Sequence, residues 1–143
     1  MPRIARVLER DMRMWIRDEW KGGIYFVEHA LGGTAGISDC FLILPRQMTP
    51  CELKKGEMKK SCFVFELRSK QRDYHQECFD YGIGTIFLVM IGSAVYGCVG
   101  KRVIDHTDKA WPMNMWSRMG SDKDIVRLVQ AAWLFASKPR LVR

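Results

Sequence analysis

A chain of 143 residues with 48% apolar and 27% charged side chains suits one domain around one core, is too short for two independent domains, and is too apolar to be disordered outside its two ends. Its formal net charge of +7, from 23 Lys and Arg against 16 Asp and Glu, points to an anionic partner, nucleic acid ahead of a membrane surface. Its five cysteines, Cys40, Cys51, Cys62, Cys78 and Cys98, are odd in number and lack CxxC spacing, which argues against a zinc site or a disulfide framework and for small hydrophobes in a reducing, cytoplasmic setting.

Ile4, Val7, Leu8, Met12, Trp15 and Ile16 recur at spacings of three and four and predict an amphipathic helix over 3–19. This charged start lacks the apolar stretch of a signal peptide. Gly22-Gly23 ends the helix. Residues 24–28 read as a strand, the glycine-rich 31–36 as a loop, and 38–44 as a second strand. Pro45 to Pro50 reads as a turn, after which a third strand starts near Cys51. The basic stretch 55–61 reads as a solvated connection, and 62–67 as a short edge strand. A helix is predicted over 69–81, with Gly82 as its C-terminal glycine. Residues 85–91 and 94–99 form a predicted hairpin of buried strands about Gly92-Ser93. The glycines that break the apolar run 83–99 argue against a membrane helix. Residues 105–120 read as irregular, with Trp111, Trp116, Met113, Met115 and Met119 as core or dimer contact rather than a platform for unpaired bases. Ser121 or Asp122 caps a last helix over 123–136, followed by a basic tail with Arg140 and Arg143. The order predicts the α/β class, a central mixed sheet flanked by helices. The domain spans 1–143, with a core over about 3–100 and a C-terminal extension over 101–143.

The sharpest pattern is Gly36-Ile37-Ser38-Asp39 followed by Cys51-Glu52-Leu53-Lys54. Period two on a strand puts Glu52 and Lys54 on one face and Leu53 on the other. If Asp39 stands on the neighbouring strand, two carboxylates and one amine converge. Two carboxylates are hard oxygen donors for Mg²⁺ or Mn²⁺. Such a metal polarises a phosphate and activates a bound water, while the lysine positions that water or neutralises developing charge. The backbone carbonyl of Leu53 is a further candidate ligand. An E-x-K alone is a chance-level pattern; the upstream Asp and the interruption of two apolar strands at adjacent positions give it weight.

Together with Gln71, eleven residues before Gly82, these pieces resemble the PD-(D/E)XK nuclease superfamily. More narrowly, they resemble its virus-type replication-repair (VRR-NUC) and Holliday-junction-resolvase-like members. The resemblance covers about residues 24–100 and departs at Ser38, where the family usually has Pro. It implies a restriction-endonuclease-like core, with Asp39 and Glu52 as metal ligands and Lys54 as the catalytic lysine. Gln71 would orient the water or a phosphate, and Glu9, ahead of Glu28, would add an acidic ligand. The implied activity is Mg²⁺- or Mn²⁺-dependent hydrolysis of DNA, leaving 5′-phosphate and 3′-hydroxyl ends. A homodimer acting on branched DNA, phage-like in origin and working in the host cytoplasm, is the leading specific expectation. Nicking or end processing of DNA is the second expectation, and a nuclease fold that only binds DNA or protein the third. Lys55, Lys59, Lys60, Arg68, Lys70 and Arg72 are the expected phosphate contacts. The three histidines lack ligand spacing, and His75, four residues after Gln71, reads as a surface residue that has the option of facing the same groove.

Overall fold

The computed structural model describes residues 2–27 and 36–137, with 2–9 as backbone only. Helix α1 (Pro2–Glu19) is followed by the antiparallel strands β1 (Gly23–Phe26), β2 (Cys40–Leu44) and the long β3 (Gln47–Lys59). Strand β3 folds back on β4 (Cys62–Val64), and helix α2 (Ser69–Asp80) then crosses over to β5 (Ile86–Ile91), which lies parallel to β3. Strand β6 (Ala94–Val99) completes a hairpin with β5, and helix α3 spans Gly100–Asp105. Two short strands, β7 (Trp111–Pro112) and β8 (Ser117–Arg118), flank a 3₁₀ turn and precede helix α4 (Asp122–Ser137). The main sheet runs β1-β2-β3-β5-β6-β8 and is mixed, as the order of elements predicts.

Period-two alternation sorts the sheet residues into two cores. On one face, Cys40, Leu42, Cys51, Leu53, Leu88 and Met90 pack against Met12 and Ile16 of α1 and Ile125, Leu128, Val129 and Ala132 of α4. On the other, Phe87, Val89 and Cys98 pack against Phe63, Phe65, Val103 and Trp111. Trp111 stacks on Phe65 at 4.1 Å and is buried, so its role is core packing. The cysteines are free thiols, and all but the half-buried Cys62 are buried.

Helix α2 ends where expected. Gly82 has φ +78°, its N–H donates to the Phe79 carbonyl and the Ile83 N–H to the Cys78 carbonyl, the paired bonds of a Schellman motif. Two boundaries are corrected. The turn expected over Pro45 to Pro50 is only Pro45-Arg46, and β3 already begins at Gln47. Pro50 sits within β3 opposite Phe41, where β5 has not yet begun to pair, so its missing N–H faces no second ladder. The connection expected over 55–61 is instead the far half of β3, closed by a hairpin turn at Lys60-Ser61. Both turn residues have positive φ, 50° and 63°, as a primed turn requires, although neither is Gly or Asn. Helix α3 also appears where no helix was expected. Among the described residues, no helix is long and apolar enough to cross a membrane.

Candidate active site

The site forms where β2 and β3 part. Cys40 and Cys51 are the last backbone pair of that ladder. Beyond it, the side chain of Asp39 takes over from the main chain: Oδ2 accepts the Leu53 N–H at 2.8 Å. Register places Asp39 opposite Glu52, and the two carboxyl groups are close enough to hydrogen-bond. Leu53 therefore presents its main chain to the site, while its side chain goes into the opposite core, as alternation requires.

Helix α2 supplies the other wall. Gln71 and His75, one turn apart, both reach Glu52. Gln71 Nε2 lies 3.4 Å from Oε2, and His75 Nε2 lies 3.1 Å from Oε1. The Gln71 carbonyl oxygen accepts from Lys54 Nζ at 2.9 Å and from the Arg68 N–H at 3.0 Å. The second of these bonds satisfies a helix-end amide, so the amide orientation of Gln71 is fixed by the start of its own helix. His75 Nδ1 in turn meets Thr85 Oγ1 at 2.7 Å. With Glu52 ionised, Nε2 carries the imidazole proton and Nδ1 accepts from the threonine hydroxyl.

Burial sets the electrostatics. Glu52 and His75 are fully buried. Burial, and then the negative charge of Glu52, lift the Asp39 carboxyl to about 7. Burial likewise raises Glu52. The Lys54 ammonium is lowered by burial, against the pull of both carboxylates. His75 is pushed down to about 3 by burial and by the charge of Lys54, so it stays neutral. Two adjacent, water-poor carboxylates facing one amine make a place that favours an added cation.

The expected residues Asp39, Glu52, Leu53, Lys54 and Gln71 thus come together. His75 is a correction: it is not on the surface but is buried in the site, and its spacing of four from Gln71 was the available signal. Thr85 gave no sequence signal at all. Neither did Gly100, whose amide donates to the Thr85 carbonyl at 2.8 Å. Glu9 lies on the described backbone of α1 with its side chain outside the described set, and Glu28 lies outside the described residues altogether. Among the described residues, no group of three or more His, Cys, Asp and Glu is arranged to hold a metal; the donors that meet are the pair Asp39 and Glu52.

The basic residues are divided. Lys70 is exposed beside Gly36, at the approach to Asp39. Arg68 is exposed and paired with Glu66 at 2.8 Å. Lys55 lies on the opposite sheet face from Lys54, with Nζ 3.3 Å from Met90 Sδ. Lys59, 3.8 Å from Glu57, and Lys60 are at the far tip of the β3–β4 hairpin. Arg72 donates to the carbonyls of Ile104 (2.6 Å) and His106 (3.1 Å), and so satisfies the C-terminal end of α3. No protein-family model matches the chain, and no curated protein matches it.

Proposed function

We propose that this protein is a Mg²⁺- or Mn²⁺-dependent DNA endonuclease of the PD-(D/E)XK type, acting on branched or otherwise structured DNA. The observation that carries the reading is the hydrogen-bonded cluster of Asp39, Glu52, Lys54 and Gln71, in which β3, α2 and the residue just before β2 meet at one point of the sheet. A chance E-x-K on an exposed strand edge has no reason to be buried, to have both its charged ends held by one glutamine, or to meet a second carboxylate.

The donor chemistry fits a hard divalent cation. Asp39 and Glu52 offer adjacent carboxylate oxygens, and the Asp39 carboxyl is raised by burial and then by the charge of Glu52, both of which a bound cation would offset. When bound, the metal supplies a polarised phosphate and a water of lowered pKa. The remaining roles belong to the chain. Asp39 holds its orientation through the Leu53 N–H, and Glu52 through His75 and Gln71. Lys54, drawn toward neutrality by burial and tethered by Gln71, is placed to guide the attacking water or to neutralise charge on the phosphate. Lys70, with Arg68 close by along α2, offers phosphate contacts that fix register without reading bases.

The test is a panel of single-stranded, duplex, gapped and four-way-junction DNA incubated with Mg²⁺ and with Mn²⁺. Cleavage of at least one substrate, abolished by chelation, is expected. Lys54→Ala should lower the rate by about a hundredfold or more while DNA binding persists. Intact DNA across the whole panel would sink the enzyme reading; undiminished cutting by Lys54→Ala would sink the site.

A further inference from the structure

Helices α2 and α3 and the paired strands β4 and β7 cover the site-bearing face of the sheet over β5, β6 and the part of β3 that holds Glu52. Farther out, that face carries exposed side chains on β1 and β2 and at Met48 of β3, while Pro50 is buried. Register aligns Tyr25, Phe41 and Pro50 in one row across the three strands, and Gly23, Ile43 and Met48 in the next. Tyr25 is 60% exposed, Met48 51% and Ile43 38%, and Phe41 is half-buried. The first of these rows is adjacent to the row holding Asp39 and Glu52, two residues along each strand. Exposed apolar side chains in adjacent rows beside a polar site are a candidate binding surface.

We infer that this face is a stacking platform for unpaired DNA bases next to the scissile phosphate, with Tyr25 and Phe41 as the stacking residues. The inference rests on the nuclease reading above and narrows its substrate to DNA with single-stranded character at the cut. Three observations select this occupant. The two rings are cross-strand neighbours on one face, which offers adjacent flat apolar surfaces to bases of any identity. The platform is bordered by cations: Arg46 in the β2–β3 turn at one end, Lys54 and Lys70 at the other. In a chain of net charge +7, that border suits a polyanion running from platform to site. A second copy docked through the same face would set its basic borders near each other, which disfavours self-association there. The tryptophans of 105–120 are buried, as core residues are, and are unavailable for stacking.

The experiment uses the full chain in a chelating buffer, so that binding is read without cleavage. Fluorescence anisotropy with an oligothymidine strand, a gapped duplex and an intact duplex measures preference. Tighter binding of the strand and the gapped duplex than of the intact duplex is expected. Tyr25→Ser and Phe41→Ser should each weaken strand binding by about tenfold and leave intact-duplex binding unchanged, while Tyr25→Trp should retain it. Tyr25 is exposed enough that its replacement leaves the fold intact, and melting curves check Phe41→Ser. Equal affinity for all three DNAs, or no effect of Tyr25→Ser, overturns the platform. So does a change of sedimentation in these variants with DNA affinity unaltered, which would make a second copy the occupant. The two readings fail separately. Tyr25-dependent strand binding without metal-dependent cleavage of any DNA defeats the nuclease and keeps the platform; cleavage indifferent to Tyr25 and Phe41 does the reverse.

Discussion

Lys54 and Lys55 are neighbours in sequence with unrelated tasks. Alternation sends Lys54 to the carboxylates and Lys55 to the opposite face beside Met90. His75 shows the complementary effect, a residue whose bland sequence context conceals a buried bond to Glu52. Asp39 is where the electrostatics are most open to test. Its carboxyl is held at about 7 in the fold against an ordinary value of 3.8. A raised carboxyl stabilises the fold fully below the unfolded value and loses that contribution as pH climbs through about 7. Asp39→Asn does not titrate. In metal-free buffer it should therefore melt about 5 °C above the original protein at pH 8, with the gap closing as pH falls toward 4. Adding Mg²⁺ at pH 8 should raise the melting temperature of the original and leave the variant unmoved. Thermal melts across that pH range decide it, and a gap independent of pH would refute a raised Asp39 carboxyl.

At the scale of elements, the site is the product of one crossover. Helix α2 connects β3 to the parallel β5 and in passing lays Gln71 and His75 over Glu52. Its start is fixed by Gln71 itself and its end by the Gly82 motif, so the helix is clamped at both ends. Helix α3 supports it from outside, because Gly100 comes so near Thr85 that an added Cβ would lie 2.0 Å from Oγ1. Gly100→Ala is expected to displace Thr85 and, through it, His75. The cost is about 2–3 kcal/mol of stability, read by denaturant unfolding, together with loss of DNA cleavage out of proportion to the loss of fold at a temperature where the variant remains folded. An unchanged unfolding midpoint would mean that the contact between α3 and Thr85 relaxes freely.

For the whole molecule, the last helix is part of the core rather than an appendage. Helix α4 contributes Ile125, Leu128, Val129 and Ala132 to the same core as Met12 and Ile16 of α1, and Trp133 Nε1 donates to Thr49 Oγ1 of β3 at 2.8 Å. Strand β8 meanwhile extends the sheet beyond β6. A chain ended at Gly120 would expose that apolar face and should lose cooperative thermal unfolding, as followed by circular dichroism. A sharp transition near that of the full chain would show the core to be complete without helix α4.

Much of the architecture was legible because it is local. The three- and four-residue spacing of α1, the glycine that ends α2, the hairpin at Gly92-Ser93 and the shared face of Glu52 and Lys54 follow from backbone periodicity, which any window of the chain carries. Tertiary structure decided what depends on neighbours: that Asp39 stands opposite Glu52, that His75 is buried against it, that Arg72 serves α3, and that Pro50 is tolerated within a strand. It also placed Tyr25 beside Phe41 on one face of the sheet. Burial and cross-strand register are set by which distant elements meet, and nothing in the adjacent sequence encodes that meeting.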